Sequence, residues 1–239
     1  MQIAVAGCRF YQQFAIRQFS QDELAFLGDI KLGNVALPAN QDLVQAGEVG
    51  GHLFLVTDGW AFRYKRLSDG RRFILDFLLP GDLVGMQSGL LGMIGHSVRS
   101  LTAAQLCVVD GRRLDEMYRG FPELALLLTK YFAVQERRID DRLAVLGRGT
   151  AAERLAFLMI ELFERLQRQG ATNGSSCPFP LRRQHLADAS GLTGAHVNRT
   201  LNLLREDGLA LVGDGMLTLL DPQRLARLSG RAGGELTVS

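Results

Sequence analysis

The chain has 239 residues, of which 47% are hydrophobic and 22% are charged, and its formal net charge at pH 7 is +2. This length accommodates one large or two medium domains, and the composition is that of an ordinary globular protein. The nearly balanced charge excludes a broadly basic nucleic-acid binder, so any contact with DNA must come from local basic positions.

The sequence also lacks the signals of membrane, secreted and metal-binding proteins. No run approaches the roughly 20 apolar residues of a membrane span, and the N-terminus lacks a secretory signal, so we expect a cytoplasmic protein without membrane contact. The cysteines Cys8, Cys107 and Cys177 are isolated and odd in number, which argues against a disulfide framework. None has a second cysteine or a histidine at ligand spacing, so no metal site is expected.

The N-terminal half predicts an antiparallel β structure. Residues 1–18 show no strong period and predict an irregular or helical lead-in, and Ser20 with Glu23 forms a capping box that opens a short helix. From Val35 to about Val109, short apolar segments alternate with glycine-containing turns. The segments are 53–56, 60–64, 73–79 and 106–109. This pattern is typical of an antiparallel barrel or jelly roll.

A long helix is predicted next, over residues 122–146, which contain no glycine or proline after Pro122. Its apolar residues form two stripes, so both faces need cover. The barrel on one side and the same helix of a second subunit on the other would supply it, and an interdomain helix buried within one chain is the alternative. In the dimer, the interface residues would be Leu128, Phe132, Ile139, Leu143 and Leu146.

Glycines at positions 147 and 149 predict a break in this helix and a domain hinge. Thr150 and Glu153 form a second capping box, which opens a helix through about Gln169. A polar loop over residues 170–176 follows, with a short strand predicted at 179–181. Residues beyond about Leu228 predict a frayed tail.

Residues 181–208 predict two short helices joined at Gly191, with the second helix starting at Thr193. Val197, Leu201 and Leu204 recur at helical spacing on its inner face. This is a helix-turn-helix pattern, whose second helix enters the major groove of DNA. Two apolar runs around residues 213–215 then predict a hairpin, which completes a winged helix. A helical hairpin inside some other kind of domain is the alternative.

A glycine-punctuated barrel, a long helix, a hinge and a winged helix, in that order, resemble the CRP/FNR superfamily of bacterial transcription regulators. The most specific part of the resemblance is residues 186–193 together with 196–201, and it extends to the barrel turns at 58–59, 69–70 and 80–85. The resemblance implies an α+β fold: a cyclic-nucleotide-binding-like antiparallel jelly roll over residues 1–120, a dimerisation helix over 121–147, a winged helix-turn-helix over 148–228 and a flexible tail over 229–239.

Members of this family are similar in being homodimers that read two-fold symmetric DNA. By position, Arg199 matches an arginine that reads guanine, and a glutamate that many members use to read cytosine is replaced by Ala195. The family's usual operator is therefore not expected. A surface ion pair with Glu206 or Asp207 is the alternative role of Arg199, and His196 is either a base reader or a solvated residue. The expected DNA-binding residues are Arg182, Arg183, Gln184, Thr193, Gly194, His196, Asn198, Arg199 and Asn202.

Physical chemistry supports these assignments independently of the family. Arginine donates two parallel hydrogen bonds to guanine, which discriminate against the wrong base by on the order of 1–3 kcal/mol. Arg182 and Arg183 stand at a helix N-terminus, where a positive charge is unfavourable unless an anion such as a phosphate lies nearby.

The barrel departs from the cyclic-nucleotide readers that it resembles. Met86 stands where those proteins have a ribose-binding glutamate, and Ile94 aligns with the phosphate-binding arginine. An alignment with an insertion would instead place Arg99 and Ser100 there. An apolar residue facing a phosphate leaves the anion unpaired. We therefore expect an effector other than cyclic AMP, if there is one, with candidate contacts at Gly85, Gln87, Ser88 and Arg99.

The other sensors of the family are not expected either, so the cofactor stays unknown. Three scattered cysteines cannot supply the four ligands of an iron–sulfur cluster. Haem would need a barrel histidine, and His52 and His96 are more simply explained as surface or loop residues.

The sequence thus predicts a homodimeric DNA-binding transcription regulator and not an enzyme. Its partners would be a near-palindromic double-stranded DNA operator, a second copy of the chain and, if it activates, RNA polymerase. The rivals are a cupin-like metal protein and a ligand-binding protein whose winged helix binds protein. The first needs clustered histidines, and the barrel has no His-x-His pair.

Overall fold

The computed structural model describes residues 19–230. No helix in this part of the chain is long and apolar enough to cross a membrane. The chain divides into two compact units, with the division between Ala133 and Val134. The predicted lead-in at residues 1–18 and the part of the predicted tail beyond Gly230 lie outside the described residues.

The first unit consists mainly of eight strands within residues 19–133. Its elements in chain order are α1 (Gln21–Asp29), β1 (Lys31–Leu37), β2 (Asp42–Val44), β3 (His52–Asp58), β4 (Ala61–Arg66), β5 (Arg72–Leu78), β6 (Leu83–Val84), α2 (Met86–Leu91), β7 (Ser97–Ser100), β8 (Ala104–Asp110) and α3 (Leu114–Gly120). The capping box that opens α1 is confirmed, because the Ser20 N–H donates to the Glu23 carboxylate and the Glu23 N–H donates to Ser20 Oγ.

The strands form two four-stranded antiparallel sheets, β1-β8-β3-β6 and β2-β7-β4-β5. Alternate side chains of both sheets fill the space between them, as the period of two in a strand requires. The predicted antiparallel jelly roll is therefore confirmed. The buried core between the sheets is formed by Leu37, Val56, Ala61, Leu78, Val84, Ile94, Val98, Ala104 and Leu106.

Gly59 shows why this roll needs glycine at its turns. Its φ is +77°, and a Cβ atom placed there would lie 2.1 Å from the backbone oxygen of Ala103. Both the left-handed backbone conformation and the close approach of the two chains therefore exclude a larger residue.

The long helix α4 (Pro122–Arg148) contributes to both compact units. In its first half, Leu124 and Leu128 pack with Phe26 and Leu53 in a second core of the first unit. The helix continues through Gly147, and residues 134–148 belong to the second unit. The division between the units therefore falls within the helix, and the helix itself ends at Arg148, inside the glycine segment 147–149 where the sequence predicted a break.

The second unit continues with α5 (Ala151–Arg168), β9 (Ser176–Pro178), α6 (Arg183–Ser190), α7 (Gly194–Glu206), β10 (Ala210–Gly213), β11 (Met216–Leu219) and α8 (Pro222–Leu228). The capping box of Thr150 and Glu153 is confirmed at the start of α5. The three strands form one antiparallel sheet in the order β10-β11-β9.

The short strand before the helix-turn-helix was predicted three residues too late. Strand β9 pairs with β11, and Cys177 lies opposite Leu217. Just beyond the end of β9, the Phe179 N–H donates a hydrogen bond to the Gly215 carbonyl. Pro180 has no N–H with which to extend the ladder, so the strand does not extend over residues 179–181.

Candidate nucleic-acid interface

A tight turn joins helices α6 and α7. Gly191 ends α6 in the left-handed conformation, with φ of +66°, and its N–H donates to the Ala187 carbonyl. Glycine adopts this conformation without the penalty of a Cβ atom. The inner faces of the two helices are fixed by burial of Leu186, Val197 and Leu204. The turn and the burial together set the direction of α7.

The start of α7 is fixed by Thr193, which is its N-cap residue. The Thr193 side chain accepts a hydrogen bond from the His196 N–H, at 3.3 Å. The same hydroxyl lies 3.0 Å from Nδ1 of the His196 ring. The predicted capping role of Thr193 is thus observed, and the cap also orients the imidazole beside the first turn.

The outer face of α7 is polar and exposed. Within residues 19–230, the Arg199 guanidinium makes no hydrogen bond or ion pair, so it is not neutralised by Glu206 or Asp207. Its donors are therefore available to a guanine edge. The residues of the predicted set that are exposed on this helix are Gly194, His196, Asn198, Arg199 and Asn202.

Three further residues of the predicted set, Arg182, Arg183 and Gln184, are exposed at the N-terminus of α6. The backbone N–H of Arg182 donates to Nδ1 of His185. Its guanidinium and that of Arg183 have no partner in the part of the chain that the structure describes. Gln184 differs, because its amide donates to the Asp188 carboxylate at 2.6 Å. An anion near this terminus would relieve the unfavourable placement of the two arginines.

The wing formed by β10 and β11 turns through Asp214 and Gly215, both of which have positive φ. The predicted hairpin is therefore observed. The segment from Leu211 to Met216 contains no lysine or arginine and one acidic residue. The wing thus exposes the apolar side chains of Leu211 and Met216 and the carboxylate of Asp214, and it offers no cation for a phosphate.

Two arginines behind the helix-turn-helix were not identified from the sequence. Arg142 of α4 is buried, 9% exposed, and donates to the Ala189 carbonyl, and Arg154 of α5 donates to the Ser190 carbonyl. Nearby, Arg138 and Glu161 form a buried ion pair at 2.6 Å. The recurrence of Arg138 and Arg142 at helical spacing was a signal that this face of α4 has polar partners.

The candidate effector residues of the roll already have partners in the chain. Arg99 forms two hydrogen bonds with the Asp42 carboxylate, at 2.7 and 2.6 Å, and lowers the pKa of that carboxyl. The Gln87 amide oxygen accepts from the Gly95 N–H, and the Ser88 hydroxyl donates to the Gly50 carbonyl. Gly85 fits against the backbone of His52, where a Cβ would lie 2.4 Å from an oxygen atom.

The interior of the roll is filled around Ile94, the residue that the sequence aligned with a phosphate-binding arginine of the cyclic-nucleotide readers. Ile94 is 2% exposed and belongs to the apolar core between the sheets.

His52 is exposed, as expected of a surface histidine, but His96 is buried. Burial, with the charges of Arg63 and Lys65, lowers the pKa of His96 to about 4. Within residues 19–230, no group of three potential metal ligands is arranged to hold an ion.

The five predicted dimer residues lie in different environments along α4. Leu128 is 5% exposed and Phe132 packs against the same core, so both contribute to the core of the first unit. Ile139 and Leu143 are 52% and 67% exposed, whereas Leu146 is half-buried. Leu126 and Val134, which were not in the predicted set, are also exposed large apolar residues of this helix.

Comparison with known proteins gives matches over both parts of the chain. A cyclic nucleotide-binding domain model matches residues 34–120, and a Crp-like helix-turn-helix domain model matches residues 153–228. The nitrogen fixation regulation protein FixK of Bradyrhizobium diazoefficiens is 34% identical, over 73% of this chain and 72% of its own length. The transcriptional activatory protein AadR of Rhodopseudomonas palustris is 32% identical, over 78% of this chain and 77% of its own.

A solved structure shows the same arrangement of elements. FixK2 from Bradyrhizobium japonicum matches 84% of this chain and 98% of its own, with a TM-score of 0.74 and 27% sequence identity. A jelly roll, a long helix and a helix-turn-helix with an exposed polar face together define a DNA-binding transcription regulator. The chain belongs to the CRP/FNR family of transcription regulators.

Proposed function

We propose that the chain acts as a homodimer that reads a near-palindromic DNA site through two copies of α7. The observation that carries this proposal is the exposed Arg199 guanidinium, which has no partner among residues 19–230. Helix-turn-helix dimers place their second helices in major grooves one helical turn apart, about 34 Å. Asn198 and Asn202 lie exposed on the same helix and would contact neighbouring bases or phosphates.

Phosphate contacts would come from the first helix and the turn. Arg182 and Arg183 are exposed beside the N-terminus of α6, where backbone N–H groups and the helix dipole also attract anions. Thr193 and Gly194 would approach the backbone at the start of α7. These contacts would fix the position of the protein on the duplex, while Arg199 would supply sequence discrimination.

Dimerisation would use α4. Ile139 and Leu143 are exposed apolar residues four positions apart, and therefore lie on one helical face. Two such helices in parallel would bury these side chains against each other. If the protein is an activator, the bound dimer would also contact RNA polymerase.

The roll would sense an effector other than cyclic AMP and so set the spacing of the two α7 helices. Ile94 is buried in the roll core and Arg99 is bonded to Asp42, so neither supports a role in binding a cyclic phosphate. Calorimetry with cyclic AMP tests this part of the proposal. We expect no binding at micromolar concentration, and micromolar binding would contradict it.

A gel-shift series across salt and sequence tests the DNA-binding proposal. The expected result is a steep fall of affinity with salt, because lysine and arginine contacts release counterions, together with a preference for a two-fold symmetric site over a shuffled one. A steep salt dependence without any sequence preference would remove specific regulation from the proposal.

A further inference from the structure

The first unit contains a cavity of about 440 Å³ on the outer face of the sheet β1-β8-β3-β6. Its wall includes Leu53 and Leu55 of β3 and Cys107 of β8, whereas Val56 and Leu106 point from the same strands into the roll core. The cavity and the roll interior are therefore on opposite faces of one sheet. None of the candidate effector residues near α2 lines it.

The apolar part of the cavity is covered by helices. Leu27 of α1, Met117 of α3 and Leu127 of α4 line it. Typical small-molecule sites have volumes of roughly 300–1,000 Å³ and mainly apolar walls with a few polar groups. The cavity has both properties, so the walls suit a small molecule with an apolar body.

The cavity wall also contains polar residues, among them Lys31, Asn34 and Gln105. The Lys31 side chain has no hydrogen bond or ion pair within residues 19–230. The other charged groups of the wall, Arg113 and Asp110, are bonded to charged partners within the chain. Arg113 is bonded to Asp29 and Glu116, and Asp110 is bonded to Arg112. Among the charged groups of the described wall, the Lys31 ammonium is therefore the one left without a bonded partner.

We propose that this cavity binds a small amphipathic molecule with an apolar body and a carboxylate group, and that Lys31 binds the carboxylate. The apolar body gains free energy by leaving water for the side chains of Leu53, Leu55 and Leu127. The carboxylate accepts a charge-assisted hydrogen bond from the Lys31 ammonium, which is stronger than a bond between neutral groups. The Asn34 amide belongs to the same strand, three residues from Lys31, and also lines the cavity, so it can donate to the second oxygen.

Occupation of this cavity would act on α4, because Leu124, Leu127 and Leu128 line it and belong to that helix. The consequence for DNA binding rests on the proposed function. Binding of the molecule itself does not, and it is measured on the full chain without DNA. A failure of the DNA-binding proposal would therefore leave this measurement unchanged.

The test uses decanoate as the probe and decanol as its uncharged counterpart. Calorimetry on the full chain should show decanoate binding about ten-fold more tightly than decanol, the factor expected for one hydrogen bond to a charged group. Lys31→Gln should remove this difference. Lys65→Gln is the matched control, since Lys65 is exposed on a strand of the other sheet, and it should bind both probes as the wild-type chain does.

Thiol labelling locates the bound probe. Decanoate should slow alkylation of Cys107, whose side chain lines the cavity. Cys177 is the internal control because it is buried in the second unit, where burial raises its thiol pKa to about 11 and so suppresses the reactive thiolate. The absence of decanoate binding, unchanged labelling of Cys107 in its presence, or equal effects of the two lysine substitutions would each overturn the proposal.

Discussion

The guanidinium of Arg142 donates a hydrogen bond from Nη2 to the carbonyl oxygen of Ala189, over 2.9 Å. Ala189 lies in the last turn of α6, just before the glycine that leads into α7. Arg154 makes a second bond of the same kind to the Ser190 carbonyl, at 3.3 Å. Cations at the C-terminal end of a helix satisfy carbonyl groups that lack intrahelical partners and interact favourably with the helix dipole. Two arginines therefore anchor the turn that precedes α7, the helix that we propose reads DNA.

Arg142→Ala should weaken both the second unit and its binding to DNA. Loss of a charged, buried donor leaves the Ala189 carbonyl without that bond, and we expect the free energy of unfolding to fall by about 1–3 kcal/mol. Urea denaturation measures this fall, and gel shifts at a temperature where the variant remains folded measure the DNA affinity. Arg137→Ala is the matched control, because Arg137 is exposed on the same helix. Equal results for the two variants would show that the Ala189 bond has no anchoring role.

Arg199→Ala should reduce specific DNA binding far more than non-specific binding. A bidentate arginine–guanine contact is worth on the order of 1–3 kcal/mol of discrimination, so the ratio of specific to non-specific affinity should fall about ten-fold or more. Competition gel shifts measure that ratio. Arg205→Ala provides the comparison on the same helix, since Arg205 is exposed in its last turn. A uniform loss of affinity for all sequences would instead assign Arg199 to phosphate contact.

Local signals explain why the helix-turn-helix could be predicted from the sequence. Gly191, Thr193 and the spacing of the apolar residues act within a few positions of one another, and each is observed in its expected role. The bond between Arg142 and Ala189 joins residues 47 positions apart. No local pattern specifies such a partner, because it depends on how the helices pack.

The long helix shows a second limit of sequence reasoning. Its apolar period identified a helix with two apolar faces, but not which residues the protomer itself buries. The structure places Leu128 in the protomer's own core and leaves Leu143 exposed, although both belong to one predicted stripe. The strand at 176–178 was predicted at 179–181 for a similar reason. Its position depends on pairing with β11, which lies about 40 residues later in the chain, and a local pattern does not specify that partner.

Leu143→Asp should convert the proposed dimer into a monomer. The substitution places a charge on an exposed apolar side chain that would be buried between two α4 helices, and an unpaired buried charge is costly. Sedimentation velocity at a fixed protein concentration distinguishes the two states. Leu67→Asp, which alters an exposed leucine in the turn between β4 and β5, should leave the dimer intact. A dimer that survives the substitution at position 143 would place the interface elsewhere.

His96 should make the first unit less stable in acid. Its folded-state pKa is lowered from 6.5 to about 4, so the unfolded chain binds more protons between these values. The stabilisation from neutral His96 is therefore fully present above about pH 6.5 and is lost as the pH falls toward 4. Urea denaturation at several pH values should show a smaller loss for His96→Gln than for the wild-type chain. Parallel pH profiles would contradict this assignment.

Two copies of the chain should present Arg199 to consecutive turns of one duplex. Selection of bound sequences from a random DNA library by the full-length protein measures this arrangement. We expect an enriched two-fold symmetric motif with a guanine in each half-site, and half-site centres about 10 base pairs apart. Enrichment of a single asymmetric half-site, or of no motif at all, would contradict it.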